Sequence, residues 1–299
     1  MTEKQRGRGF AFGLSAYLIW GSFPLIIASL HFASAFEIVV WRIVFGFLAS
    51  VLLISVTRGW QQMLAVLKNP KMLGWVAVSS VFIAVNWVAY VIGVQSGHVA
   101  ETSLGYFINP LVTVILAVVF LGEKLSRLQW VALAFGFVAV VILTINLGSL
   151  PIIALTLAVS FGIYGFAKSK LGGQVSGLNS FALESGVLLP VALVVLWVIA
   201  LTPEGVKFAS NGVGGSLDLM FFGVMTAIPL IFFGIAAKHL PLSVIGFMQY
   251  LTPCIQFVMA LTLFGETLTP VRWVGFSLVW AGLVVLSIDM LRRRGGQKA

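Results

Sequence analysis

Apolar residues along this chain do not alternate with polar ones; they gather in long runs separated by short polar punctuation. Ten runs are legible, at about 9–30, 36–56, 73–94, 100–121, 128–146, 150–168, 180–201, 216–236, 243–264 and 271–290. Each is close to the ~20 apolar residues that carry an α-helix across a bilayer, whereas the strands of a transmembrane barrel alternate polar and apolar over about ten positions. The separators are turns such as Thr57-Arg58-Gly59, Gly122-Glu123-Lys124 and Gly172-Gly173-Gln174, and the longest, about 202–215, is glycine-rich and contains Pro203. The pattern predicts an all-α integral membrane protein with ten transmembrane helices. The run ending at Lys168, interrupted by Gly162 and Gly165, is the weakest of the ten.

Composition strengthens this reading. Of 299 residues, 60% are hydrophobic and 9% charged, and the mean hydropathy is +1.08. A soluble domain carries about 25% charged residues, so an ordinary soluble enzyme is excluded. Ten helices use roughly 200 residues, which leaves no room for a separate aqueous domain. The net charge of +9 does not point to nucleic acid, because the aromatic residues lie inside the apolar runs and not among the lysines and arginines.

Distribution explains the charge instead. Assigning loops alternately to two sides puts Lys4, Arg6, Arg8, Arg58, Lys68, Lys71, Lys124, Arg127, Lys168, Lys170, Lys238, Arg292, Arg293, Arg294 and Lys298 on one side. Only Arg42, Lys207 and Arg272 fall elsewhere. The positive-inside rule then places both termini in the cytoplasm. Basic residues before the first run resemble a signal-peptide start, but the run is too long and lacks a small-x-small cleavage pattern, so an uncleaved first helix is expected. The lone Cys254 can form neither an intrachain disulfide nor a CxxC site and is expected to pack.

Residues 109–143 align with 252–286 without a gap at an offset of 143, pairing Pro110 with Pro253, Gly122-Glu123 with Gly265-Glu266, and Trp130 with Trp273. Trp20-Gly21 and Tyr164-Gly165 match at an offset of 144. The repeat pairs the fourth span with the ninth. An odd separation reverses a helix through the bilayer, so the halves 9–146 and 150–290 are expected to be inverted five-helix repeats, an architecture used for alternating access. Duplication retained only for packing is the alternative.

The segments Glu101-Thr102-Ser103-Leu104-Gly105-Tyr106-Phe107-Ile108-Asn109-Pro110-Leu111, Phe120-Leu121-Gly122-Glu123 and Gly148-Ser149-Leu150-Pro151-Ile152-Ile153-Ala154-Leu155 resemble the RarD branch of the EamA family, within the drug/metabolite transporter superfamily. Asn86-Trp87, Leu188-Leu189-Pro190 and Gly246-Phe247 with Gln249-Tyr250 extend the resemblance over nearly the whole chain. It implies two inverted EamA repeats, a central cavity mainly between spans 1, 3, 4, 6, 8 and 9, and export across the bacterial cytoplasmic (inner) membrane.

Polar groups inside the spans are the candidate chemistry, because ionisable residues there are costly and usually face a cavity or a partner. Glu37 and Arg42 lie about 140° apart on the second span and so need different neighbours. Arg42 could meet an anionic substrate group, a carboxylate such as Glu101, or a structural partner. Glu101 and Glu184 approach the bilayer from opposite sides and are candidates for proton coupling, Glu101 first. Glu123 and Glu266 read as cap or turn residues. Tyr106, Pro110 and Thr113 form a stripe repeated by Gln249, Pro253 and Gln256, where proline bends would free backbone carbonyls beside polar side chains. Asn86 and Tyr90 share a face of the third span, and Tyr17 and Trp20 on the first are answered by Tyr164 on the sixth. The expected substrate-binding set is Tyr17, Trp20, Asn86, Tyr90, Tyr106, Asn109, Tyr164, Gln249 and Tyr250; Arg42, Glu101, Glu184, Pro110 and Pro253 are expected to couple or gate.

The leading function is a secondary transporter exporting a small amphipathic metabolite or drug, with protons as the candidate coupling ion and membrane lipids as its surroundings. An uptake carrier, an intramembrane enzyme acting on lipid or peptide, and a channel or scaffold are the alternatives. No cofactor or metal is implied: HExxH and GxxxxGK[ST] are both missing, and His31, His98 and His239 sit at span ends or loops. Gly93-x-x-x-Gly97 fits close helix contact within the monomer or in a homodimer, and the choice stays open.

Overall fold

The computed structural model describes residues 3–121, 125–147, 150–171, 175–240 and 248–296. Among these it is helical, with no strand. The helices are α1 (Glu3–Gly21), α2 (Phe23–Ser29), α3 (Ala35–Thr57), α4 (Trp60–Leu67), α5 (Pro70–Gln95), α6 (Val99–Leu121), α7 (Arg127–Leu147), α8 (Ile152–Lys170), α9 (Gly177–Ala200), α10 (Gly212–His239), α11 (Leu251–Thr262) and α12 (Pro270–Gly296). Among the described residues, eight stretches are long and apolar enough to cross a membrane, and Ile152–Lys168 and Leu251–Thr262 are shorter apolar helices.

Local chemistry sets the helix ends. Ser34 and Ser176 cap α3 and α9 by accepting from the backbone N–H three residues on, at Glu37 and Asn179, which stabilises each helix by about 1 kcal/mol. Asn69 accepts from the amides of Lys71 and Met72, and Pro70 opens α5 where its missing N–H costs nothing. Three features depart from the sequence expectation. The first run is two helices, because Pro24 restarts the chain as α2 one turn after Trp20. The separator after Thr57 carries the short helix α4, whose Val66 is buried. Pro253 lies in the first turn of α11 and not mid-helix, so it ends a turn at Gln249-Tyr250, whereas Pro110 does stand inside α6. Residues 243–247 and Glu123 lie outside the described residues.

The helices pack in recurring partnerships: α1 on α10, α5 on α8, α6 on α8 and on α11, α3 on α9 and on α10, α5 on α9, α1 on α11, and α7 on α12. Close approach has identifiable causes. A Cβ at Gly105 of α6 would lie 2.8 Å from the Ala154 carbonyl of α8, and one at Gly223 of α10 would lie 2.7 Å from Phe45 of α3, so only glycine allows these backbones so near. The core runs through α2, α3 and α5–α12. Outward, Val56, Phe137, Ile145 and Trp197 are largely exposed. A surface of such residues is stable against lipid and a liability in water. Trp130, Trp197 and Trp273 are exposed three residues from helix ends, as in an interfacial aromatic belt.

Candidate functional site

Arg42 is 5% exposed. Its guanidinium carbon lies 4.3 Å from the Trp87 ring centre, 5.2 Å from Phe222 and 5.5 Å from Phe23. Among the described residues the guanidinium makes no hydrogen bond and no ion pair, and buried Nε has no partner. Glu37 turns elsewhere: Oε1 accepts from the amides of Lys207 at 2.8 Å and Phe208 at 2.9 Å and from Trp41 Nε1 at 3.2 Å. Glu101 does not meet Arg42 either. Its Oε1 accepts from the amides of Ile153 at 3.1 Å and Ala154 at 3.3 Å, the positive end of α8.

Beside Arg42 a polar network crosses the bundle. Tyr106 Oη donates to Asn86 Oδ1 at 3.1 Å, while Asn86 Nδ2 donates to the Leu157 carbonyl and to Ser160 Oγ on α8. Gln256 Nε2 donates to Tyr90 Oη at 2.8 Å, and buried Gln256 Oε1 has no partner among the described residues. The Tyr90 and Tyr106 rings meet edge to face, 5.8 Å apart. Asn109 donates to the Ala158 carbonyl. Thr113 Oγ1, one turn past the Pro110 region, donates to the Asn109 carbonyl, and Ser103 donates to the Pro253 carbonyl.

A second cluster surrounds Glu184, which is 1% exposed. Its Oε1 accepts from Ser79 Oγ at 2.9 Å, Lys168 Nζ at 2.9 Å and Ser180 Oγ at 3.1 Å, and Oε2 accepts from Tyr164 Oη at 3.4 Å. Lys168 also donates to Ser180. Phe161 bridges the two clusters, 5.8 Å from Tyr106 and 5.5 Å from Tyr164.

Thus Arg42, Asn86, Tyr90 and Tyr106 are brought together, with Tyr164 and Glu184 in the adjoining cluster. Tyr17 and Trp20 meet each other and Phe233 at α1 and α10, and the Tyr17 and Trp20 carbonyls accept from Thr252 and Gln256. Tyr250 is half-buried at the start of α11, and Gln249 is exposed. The buried amide on that helix is Gln256, which the same stripe contained. Sequence reasoning also missed Trp87, Phe222, Ser79 and Ser180. Ser79 stands seven residues before Asn86, two turns along one face, which was the available signal. A concavity of about 810 Å³ lies apart from these clusters, lined by Phe36, Glu37, Gln95, Val198 and Lys207.

A helical bundle with a lipid-compatible exterior and polar side chains joined across its core defines a multi-pass membrane protein. The model of the EamA-like transporter family matches twice, over residues 7–145 and 149–288. A protein named RarD from Streptomyces exfoliatus is 45% identical, covering 97% of this chain and 91% of its own length. RarD from Escherichia coli strain K12 is 36% identical, covering 97% of each. An uncharacterized transporter of Bacillus subtilis strain 168, YojE, is 34% identical over all of both chains. A solved crystal structure superposes with a TM-score of 0.60 at 17% identity, covering 95% of this chain and 98% of that one, a likeness of fold. The chain belongs to the RarD branch of the EamA-like transporter family and is a membrane transporter.

Proposed function

We propose that this chain is a secondary transporter of the bacterial cytoplasmic membrane that exports a small amphipathic compound by alternating access. In this reading ten crossings form two inverted halves, 9–146 and 150–290, with both termini cytoplasmic. The observation that carries it is the exchange symmetry of the packing. With α1–α2 counted as the first crossing, α11 assigned to the ninth and α12 to the tenth, α1 on α10 has its counterpart in α5 on α8. Likewise α6 on α8 answers α1 on α11, and α3 on α10 answers α5 on α9, while α3–α9, α6–α11 and α7–α12 map onto themselves. Two halves of five crossings related in this way must run oppositely through a bilayer, the arrangement that lets one half rock against the other.

Glu101 is the proposed coupling group. As a carboxylate it holds the α8 amides and complements that helix's positive end; as an acid it would lose most of that attraction, so proton uptake would loosen the fourth crossing from the sixth. Reconstituted protein should exchange substrate at equal pH with Glu101→Gln in place, while pH-driven accumulation is lost. Full pH-driven accumulation by Glu101→Gln removes Glu101 from the coupling and makes Glu184 the next group to test. Reporter fusions after 290 and within 204–212 should lie in opposite compartments; a shared compartment overturns the ten-crossing arrangement.

A further inference from the structure

Arg42 is the buried cation that the packing leaves unanswered. Three aromatic faces hold it, yet aromatic faces satisfy none of its five N–H donors. Burying an ion without a counter-charge costs stability, and a methionine of similar reach would fill the cage without that cost. A position that sacrifices stability in this way is expected where function needs the group. Its surroundings offer one more donor. Tyr90 Oη receives the Gln256 amide, and its own O–H has no acceptor among the described residues. Exchanging the two ends of that amide leaves a Gln256 N–H over instead, so either orientation leaves one spare donor at the Tyr90–Gln256 contact. Tyr90 and Tyr106 are both within electrostatic reach of the guanidinium.

We propose that Arg42 is the anion-recognition point of the substrate path and that the compound carried is an aromatic monocarboxylate. This rests on the transporter reading above. The planar fork of Arg42 matches one carboxylate, with the Tyr90–Gln256 pair as the second donor. One cation suits a single negative charge; a phosphate dianion would call for a second, and the ammonium of Lys168 is already committed to Glu184. Trp87, Phe222 and Phe23 hold the guanidinium when no anion is bound and give a flat apolar body faces to stack on.

The test uses purified full-length protein with 2-naphthoate and its neutral amide, 2-naphthamide, as probes. Wild-type protein should bind the carboxylate saturably and at least about tenfold more tightly than the amide, since losing a charge-assisted bond is worth roughly 10- to 100-fold. Arg42→Met should abolish that preference, Arg42→Lys should leave part of it, and Tyr90→Phe should weaken the carboxylate alone. Melting and size-exclusion profiles of each variant establish that it is folded. Equal binding of the two probes, no binding of either, or a preference that survives Arg42→Met overturns the proposal. Counterflow of labelled naphthoate into proteoliposomes separates it from the transporter reading. Arg42-dependent binding without counterflow keeps the recognition site and fails transport; counterflow that treats acid and amide alike keeps transport and fails the anion assignment.

Discussion

Arg42 and Glu184 each stand eight residues past a capping serine, Ser34 on α3 and Ser176 on α9, so the two ions occupy equivalent places in the two repeats. Their surroundings are opposite. Glu184 receives a lysine, two serines and a tyrosine; Arg42 faces three aromatic rings. The equivalence extends to the neighbours. Phe222 against Arg42 and Ser79 against Glu184 are separated by the repeat offset of 143. Three residues past each serine, Glu37 grips the amides at 207–208, and Asn179 donates to the Gly59 carbonyl and to Gln62. Each repeat therefore ties the start of this helix to a loop of the other. The scaffold is conserved between halves while the charge at its centre is reversed and only one charge is answered. One half carries a finished electrostatic contact and the other an open one.

The largest expected effect comes from opening the finished contact. Glu184→Leu leaves the Lys168 ammonium and three hydroxyls facing an apolar side chain, and should cost about 3 kcal/mol, the usual loss when one partner of a buried pair is removed. Unfolding in detergent measures it, and adding Lys168→Met should recover most of the loss. Absence of that recovery would show that the hydroxyls, not the ion pair, carry the energy. Glu37→Ala comes next. It strands two amides and the Trp41 indole, for about 2 kcal/mol, and hydrogen exchange at Lys207 and Phe208 should accelerate. Arg42→Met is the contrasting case: its melting point should move by the equivalent of about 1 kcal/mol or less, in either direction, because no bonded partner is lost. If Arg42→Met destabilises as much as Glu184→Leu, the two positions do not differ as described.

Much of this was legible beforehand, for identifiable reasons. Hydropathy shows a buried helix strongly, and Pro110, Gly122-Glu123 and Trp130 recur at one offset, so the spans and the repeat could be read. Arg42, Asn86, Tyr90 and Tyr106 stood out as polar groups in apolar runs. Partners did not. Whether Arg42 meets Glu101 or three aromatic rings depends on rotations between helices far apart in the chain, and periodicity on one helix carries no information about them. Hydrophobicity also hides roles that aromatic residues play: Trp87 and Phe222 read as packing until a cation lies over them. Glu101 and Glu266 show the same limit, since their partners are backbone amides, which no sequence pattern marks.

Glu266 provides the intermediate case, an anion whose hydrogen bonds come from backbone amides, and carries the smallest prediction. It follows Gly265, whose φ of 64° suits glycine, and its carboxylate accepts from Val99 N at 2.5 Å and Ala100 N at 3.1 Å. Burial raises its pKa above the ordinary carboxyl range, and the two amides, His98 and Arg272 offset only part of that. The native carboxyl therefore takes up its proton at a higher pH than the unfolded chain does. The sign follows by linkage: this group favours the folded state most when protonated, and its contribution falls as pH rises through the native pKa. Glu266→Gln keeps the neutral form at every pH. Relative to that variant, the wild-type melting point should decline from acid to neutral pH, by less than any substitution above because the site is half open to water. A wild-type gain with rising pH would mean that the amides at the start of α6, with His98 and Arg272, outweigh desolvation. In that case the α6 amides, together with the nearby cations, would answer an ion as fully as Lys168 answers Glu184, and the contrast with Arg42, whose guanidinium has no such partner among the described residues, would widen.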